Sequence, residues 1–269
     1  MKAKVVIIAV LAALILAGGV YAGGNKQSGG LTIKQGVLMV GMEIGYPPME
    51  YFDTDGRTPI GFDVELGKAI ADKMGLKVEF VDTAWDGIFA GVNTRKYDCI
   101  ISSVTITDAR LETFNFTRPY INNTQALVLP KGSNIRARTP YELNGLQVAV
   151  QGETTSDEFM SELAEGGLNI TIRRYDKVIN CFDELRNGRV DVVVCDSVVG
   201  YFYAGSATSP YDIVWEDDAD EYLGICFRKG NDALSKAVDD VLAGFFADGT
   251  LLRLSQSIFH QDLVSSVRR

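Results

Sequence analysis

The sequence predicts a two-lobed α/β protein, each lobe a mostly parallel sheet flanked by helices, with two hinge strands joining the lobes. Three observations carry that expectation. Short runs that are apolar on both faces alternate with helical patterns, as strands of a sheet covered on both sides do. The alternation restarts after Pro130. Extended connections recur at residues 119–124 and 219–223, so the chain leaves the first lobe and later returns to it, making a hinge around a cleft. The expected lobes are residues 31–120 plus 223–269, and residues 121–222.

In chain order, residues 37–42 read as a strand, followed by a loop carrying Tyr46, Pro47 and Pro48. Residues 61–74 place Val64, Leu66, Ala69, Ile70 and Met74 at helical spacing. A strand at 77–81, a helix at 86–92 and a buried strand at 99–104 follow, and then a helix opening at Thr107 and Asp108. Past Pro130, strands are expected at 146–151, 169–175 and 189–195, with helices at 155–163 and 178–187. The first of those helices opens on a Thr155-x-x-Glu158 capping box. A last strand at 223–228 precedes two terminal helices separated by Asp248 and Gly249.

The chain starts with a basic tetrapeptide, an apolar run over residues 5–16 and small residues ending in Val20-Tyr21-Ala22. That pattern is a secretory signal peptide over 1–22, since twelve apolar residues fall short of the about 20 a membrane span needs. Residues 23–30, GGNKQSGG, read as a flexible leader. A periplasmic or extracytoplasmic location follows. Losing Lys2 and Lys4 and no acid lowers the formal charge from −9 to −11, which repels nucleic acid and anionic membranes. A monomer is expected. Cys99, Cys181, Cys195 and Cys226 match no metal spacing. The pairs Cys181–Cys195 and Cys99–Cys226 are favoured in an oxidising compartment, with free buried thiols the alternative.

Catalytic chemistry finds little support. His260 is the sole histidine and stands near the C-terminus, and neither a nucleophile elbow nor a P-loop occurs. No cofactor or metal is expected. Binding chemistry is better founded. Arg110 falls in the first turn of a helix, where the backbone already favours anions, so a guanidinium there makes sense if an anion joins it. The competing reading is a surface arginine paired with Asp108 or Glu112. Asp196 ends a buried strand, where open α/β sheets place ligand contacts, and suits an ammonium; a simple helix N-cap is the alternative. Together they would grip the two ends of an α-amino acid. Thr154 and Thr155 stand at a helix start that can hold a carboxylate, or merely cap it. Tyr46 and Trp85, read as loop residues after strands, could sandwich an apolar side-chain stem, or pack in the core.

These motifs resemble those of the bacterial extracellular solute-binding proteins that deliver polar amino acids to ABC importers. The resemblance runs from Val40 to the C-terminus through seven ordered blocks. They begin with Tyr46-Pro47-Pro48-Met49-Glu50, Gly61-Phe62-Asp63-Val64-Glu65-Leu66 and Trp85-Asp86-Gly87-Ile88. Ile100 to Arg110 and Phe116-Thr117-Arg118-Pro119-Tyr120 follow. The last two are Gln151-Gly152-Glu153-Thr154-Thr155 and Gly188 to Asp196. The resemblance implies a type II periplasmic-binding-protein-like fold that binds a free amino acid and presents it to permease subunits. It gives Arg110 the ligand carboxylate, helped by Thr105 and the backbone of Ser103, and gives Asp196 the ammonium. Thr155 becomes a second-lobe carboxylate contact, Tyr46 and Trp85 flank the side chain, and Glu43 and Gln151 meet its polar end. Glu43 beside two aromatics favours arginine, lysine, histidine or glutamine, with cystine also open. Two departures stand out: the family often has Gly where Glu153 stands, and commonly Asp where Glu43 stands. A dehydratase or lyase on the same fold, and a chemoreceptor's ligand-binding partner, are the alternative functions.

Overall fold

The computed structural model describes residues 30–267. The expected signal segment, and all of the leader but Gly30, lie outside the described residues. The first lobe's elements are β1 (Val37–Met42), β2 (Tyr51–Phe52), β3 (Pro59–Ile60), α1 (Phe62–Lys73), β4 (Lys77–Asp82), α2 (Trp85–Asn93), β5 (Cys99–Ile100), α3 (Asp108–Thr113) and β6 (Phe114–Phe116). Then come β7 (Ile121–Asn123), β8 (Gln125–Pro130), β9 (Gln147–Gln151), α4 (Thr155–Glu165), β10 (Thr171–Tyr175), α5 (Val178–Arg186), β11 (Val192–Asp196), α6 (Ser197–Ala204) and β12 (Tyr211–Glu216). The chain ends with β13 (Glu221–Leu223), β14 (Cys226–Arg228), α7 (Asp232–Ala247) and α8 (Thr250–Phe259).

Two five-stranded sheets result, ordered β4-β1-β5-β14-β6 and β10-β9-β11-β8-β12. In each, three neighbouring strands run parallel. The fourth is reversed and antiparallel to both of its neighbours. The reversed strands, β8 and β14, are those the chain makes just after crossing between lobes. The crossings themselves, β7 and β13, pair antiparallel with Glu221 opposite Asn123. Two linked strands therefore join the sheets, as the extended connections predicted.

Period-two alternation explains why each sheet is covered twice. In the second sheet, Leu127, Leu129, Val148, Val150, Val192 and Val194 point to one apolar cluster, while Val128, Ala149, Val193 and Cys195 point to another. Fully burying such side chains is worth about 1.5–3 kcal/mol each before entropy is charged. The second of these clusters continues into the first lobe through Leu38, Val40, Phe62 and Ile70. Gly61 lets α1 start tightly against the preceding loop. Its φ is +124°, and a Cβ there would collide with the Met49 carbonyl oxygen. The amides of Phe62 and Asp63 donate to the carbonyls of Pro48 and Met49 at 3.1 and 2.9 Å, which seats the Tyr46 loop on the helix.

Some expectations need correction. The strand expected over 99–104 ends at Ile100, because the chain turns away at Ser103, where φ is +49°. The strand expected over 223–228 is two short strands, one in the hinge and one in the first sheet. The capping box stands one residue early. Thr154 is the N-cap of α4 and accepts from the Asp157 amide at 3.3 Å. All four cysteines are buried free thiols, so the favoured disulfide pairs are not formed and the alternative holds.

Candidate functional site

The C-terminal ends of the parallel strands in both sheets face one another across the gap between the lobes. Glu43 follows β1, Ser102 and Ser103 follow β5, Gln151 closes β9 and Asp196 closes β11. This is where side chains gather in open α/β sheets. They line a partly open cleft whose empty space, open solvent included, is about 310 Å³, together with Tyr46, Glu50, Trp85, Thr105, Thr154 and Thr155. The structure thus brings nine of the ten candidate residues onto one cavity. Arg110, the tenth, stands just behind Thr105.

Arg110 occupies the third position of α3, whose cap Thr107 accepts its amide hydrogen at 3.2 Å. Its Nη1 donates to the Thr105 carbonyl at 2.9 Å, and the guanidinium lies 5.7 and 5.2 Å from the ring centres of Trp85 and Phe89. Among the described residues no carboxylate comes within 4.0 Å of it, so the surface pairing with Asp108 or Glu112 is not made. Burial lowers its pKa, and Glu158, Glu221 and Asp196 pull the other way. A half-dry cation with aromatic walls and free capacity is an anion receptor.

Asp196 is the N-cap of α6 by position but makes no capping hydrogen bond, which removes the simpler reading. Its Oδ1 instead accepts from Gln125 Nε2 at 3.2 Å, and the polar ends of Tyr46 and Asn123 stand near it. Burial raises its pKa, while those donors and Arg110 lower it. An added cation would relieve that desolvated carboxylate.

Glu43 and Gln151 meet across the cleft, with Gln151 Nε2 donating to Glu43 Oε2 at 2.7 Å. Glu43 Oε1 and Gln151 Oε1 are buried without a partner. Burial, opposed by Gln151 and by the charge of Lys177, pushes the Glu43 carboxyl up to about 7. Further hydrogen bonds cross the gap, among them Trp85 Nε1 to the Glu153 carbonyl at 2.9 Å and Lys177 Nζ to the Ile44 carbonyl at 3.4 Å. Glu153, where the family often has Gly, carries a φ of +62°, the left-handed conformation that glycine adopts most easily.

Three expected roles change. The Ser103 amide is committed to Asp63 Oδ2 at 2.7 Å, so its backbone N–H cannot serve an anion; its buried, unpartnered hydroxyl faces the cavity instead. Trp85 is not in a loop but opens α2. Thr154 donates to the Gln151 carbonyl at 2.8 Å and caps α4, while the Thr155 hydroxyl turns to Glu221 at 3.3 Å. His260 ends α8 in a left-handed conformation, in a separate groove with Phe202 and Phe259.

Sequence reasoning missed Glu50, Ser102, Gln125, Lys177 and Glu221. Ser102 Oγ accepts from the Glu43 amide at 3.0 Å and donates to Glu50 Oε1 at 2.6 Å. Glu50 lies beside Asp63, and burial, then that neighbour's charge, raises it well above the usual carboxylate range. Glu50 sits in the Tyr46-Pro47-Pro48-Met49-Glu50 block, which was the available signal. Gln125 and Glu221 come from a reversed strand and a hinge strand, which carry no local binding pattern. Among the described residues no group of histidines, cysteines and acids could hold a metal ion, and no helix is long and apolar enough to cross a membrane.

A model of the family described as bacterial extracellular solute-binding proteins, family 3, matches residues 38–261. The chain belongs to that family. It is accordingly a solute-binding protein and not an enzyme. Among its relatives, the L-cystine-binding protein TcyJ of Escherichia coli is 32% identical over 86% of this chain and 85% of its own length. A probable histidine-binding protein of Neisseria gonorrhoeae is 33% identical over 90% of each chain. An ancestral arginine-binding protein, solved bound to arginine, superposes with a TM-score of 0.79 at 35% identity, covering 84% of this chain and 99% of that one.

Proposed function

We propose that this family member captures a free polar α-amino acid outside the cytoplasm by closing its lobes, and hands it to the permease of an ABC importer. The observation that carries the reading is the pair Arg110 and Asp196. A guanidinium without a carboxylate partner, set just behind Thr105 at the cleft wall, and a buried carboxylate lining the cleft come from different lobes. That is the charge pattern of a zwitterion. Thr105 and Thr155 add hydroxyls, while Tyr46 and Trp85 supply aromatic walls. The lobes divide at residues 120/121 and 222/223, and closure turns on β7 and β13.

Two charge-assisted contacts worth about 1.5–3 kcal/mol each, plus buried aromatic area and less closure costs, suffice for about −8 kcal/mol, or micromolar binding. For the side chain, a carboxyl with an unpartnered buried oxygen at Glu43 and an unpartnered amide oxygen at Gln151 both ask for a hydrogen-bond donor. Arginine, lysine, histidine and glutamine offer one, and relatives named for arginine and histidine agree with that choice. Cystine, named for the Escherichia coli relative, carries a second ammonium that could meet the same acid. Thermal-shift screening against the twenty amino acids and cystine tests the reading. Strong stabilisation by one or a few polar ligands is expected through mass action. No response to any of them would sink it.

A further inference from the structure

Glu221 lies on the return hinge strand, behind the cavity wall, and touches residues from both lobes. Thr105 Oγ1, from the first lobe, donates to its Oε2 at 3.4 Å. Thr155 Oγ1, from the second, donates to the same oxygen at 3.3 Å. Gln125 Nε2 reaches both carboxylate oxygens at 3.0 Å and Asp196 Oδ1 at 3.2 Å. The Gln125 amide is oriented by Ser156 Oγ, which donates to its Oε1 at 2.6 Å. One hinge carboxylate therefore collects the hydroxyls of the two threonines that flank the cavity.

Each hydroxyl has one hydrogen. While it points at Glu221, it offers only lone pairs to the cavity and cannot donate to an anion there. A ligand carboxylate on Arg110 would also neutralise the cation that Glu221 otherwise faces, and would set a second anion beside it. We propose that Glu221 is a positioning residue of the cleft, which takes up one proton when a ligand carboxylate docks, freeing Thr105 and Thr155 to donate to that ligand. The proton comes from solvent and ends on a Glu221 carboxylate oxygen; no other bond is made or broken. This rests on the amino-acid reading and adds to it a residue and a linked proton.

The surrounding charges fit. Arg110 approaches from α3, Asp196 from the end of β11, and Glu158 on α4 faces Arg110. Burial, then the charge of Asp196, pushes the Glu221 carboxyl up to about 7 against its three donors. A ligand ammonium would cancel the Asp196 charge, but the ligand carboxylate, seated on the two hydroxyls that touch Glu221, stands nearer and outweighs it.

The test is calorimetric titration of the mature protein with L-arginine, L-histidine and L-glutamine at about pH 7.5, in phosphate and in Tris, which separates proton uptake from binding heat. The parent should take up about 0.5–1 proton per ligand more than Glu221→Gln, whose amide cannot titrate. Subtraction removes any contribution from Glu43 or Asp196. Above neutrality the parent's affinity should fall relative to Glu221→Gln by up to about tenfold per pH unit. Glu221→Asp, which keeps the acid, should restore the uptake and serves as the second variant if the amide does not fold. Equal proton counts in parent and Glu221→Gln, or no uptake in a folded Glu221→Asp, would overturn the proposal while leaving amino-acid binding intact. Absence of binding heat with all three ligands would overturn both.

Discussion

At the scale of single residues, the division of labour is between groups that grip any amino acid and groups that choose among them. Arg110 and Asp196 would grip the backbone ends, and neither can read a side chain. Glu43 and Gln151 can, because each holds a buried oxygen with no partner. Glu43→Gln should therefore change ligand order while leaving the zwitterion contacts in place. Cationic ligands should lose about tenfold or more in affinity, as expected for losing one charged hydrogen bond, and glutamine should lose much less. Competition titrations would read this, and an unchanged rank order would remove Glu43 from the specificity pocket. Much of this was legible in the chain, since the candidate residues sit just after apolar strands or at helix starts. What was not legible is who already owns a hydrogen-bond donor. Nothing in the run Ser102-Ser103 tells that the Ser103 amide is spent on Asp63, forty positions earlier.

At the scale of elements, the helix starts do most of the positioning. The Thr107 cap fixes the turn that carries Arg110, and the Thr154 cap fixes the turn that carries Thr155. Thr154→Ala should cost about 1 kcal/mol of stability, the usual penalty for losing a hydroxyl N-cap. Chemical denaturation would measure it, and a loss near zero would mean that the cap bond contributes nothing. The sequence pattern placed this cap one residue late because Thr154 and Thr155 are both good caps, and Glu158 and Asp157 are both good third-position partners. Only the backbone decides between them. Strand ends were misjudged for a related reason: residues 101–104 remain apolar or small after the ladder stops, since they pack beneath the cleft rather than in the sheet. The reversed strands were invisible as such, because burial on both faces looks the same in either direction.

At the scale of the whole molecule, the cleft concentrates acids that burial disfavours. Glu43, Asp63 and Glu221 are each pushed up to about 7, chiefly by burial, and Glu50 and Asp196 are raised as well. The folded state therefore binds more protons than the unfolded state between the ordinary carboxylate range and about pH 7. Stability must fall as pH rises through that window. Ligand-free protein should melt at a higher temperature at about pH 5 than at about pH 8, and calorimetric scans would show it; the reverse order would mean these acids are ionised without penalty. A positively charged ligand group would offset that penalty, which ties closure of the lobes to occupation of the cleft.

The central claim is that Arg110 anchors the carboxylate of an amino acid held between the lobes. Titration calorimetry of the parent and of Arg110→Ala, each folded by circular dichroism, against the ligand that best stabilises the parent tests it most directly. Binding by the parent and none detectable by Arg110→Ala is the predicted result. An Arg110→Ala protein that binds as tightly as the parent would contradict it.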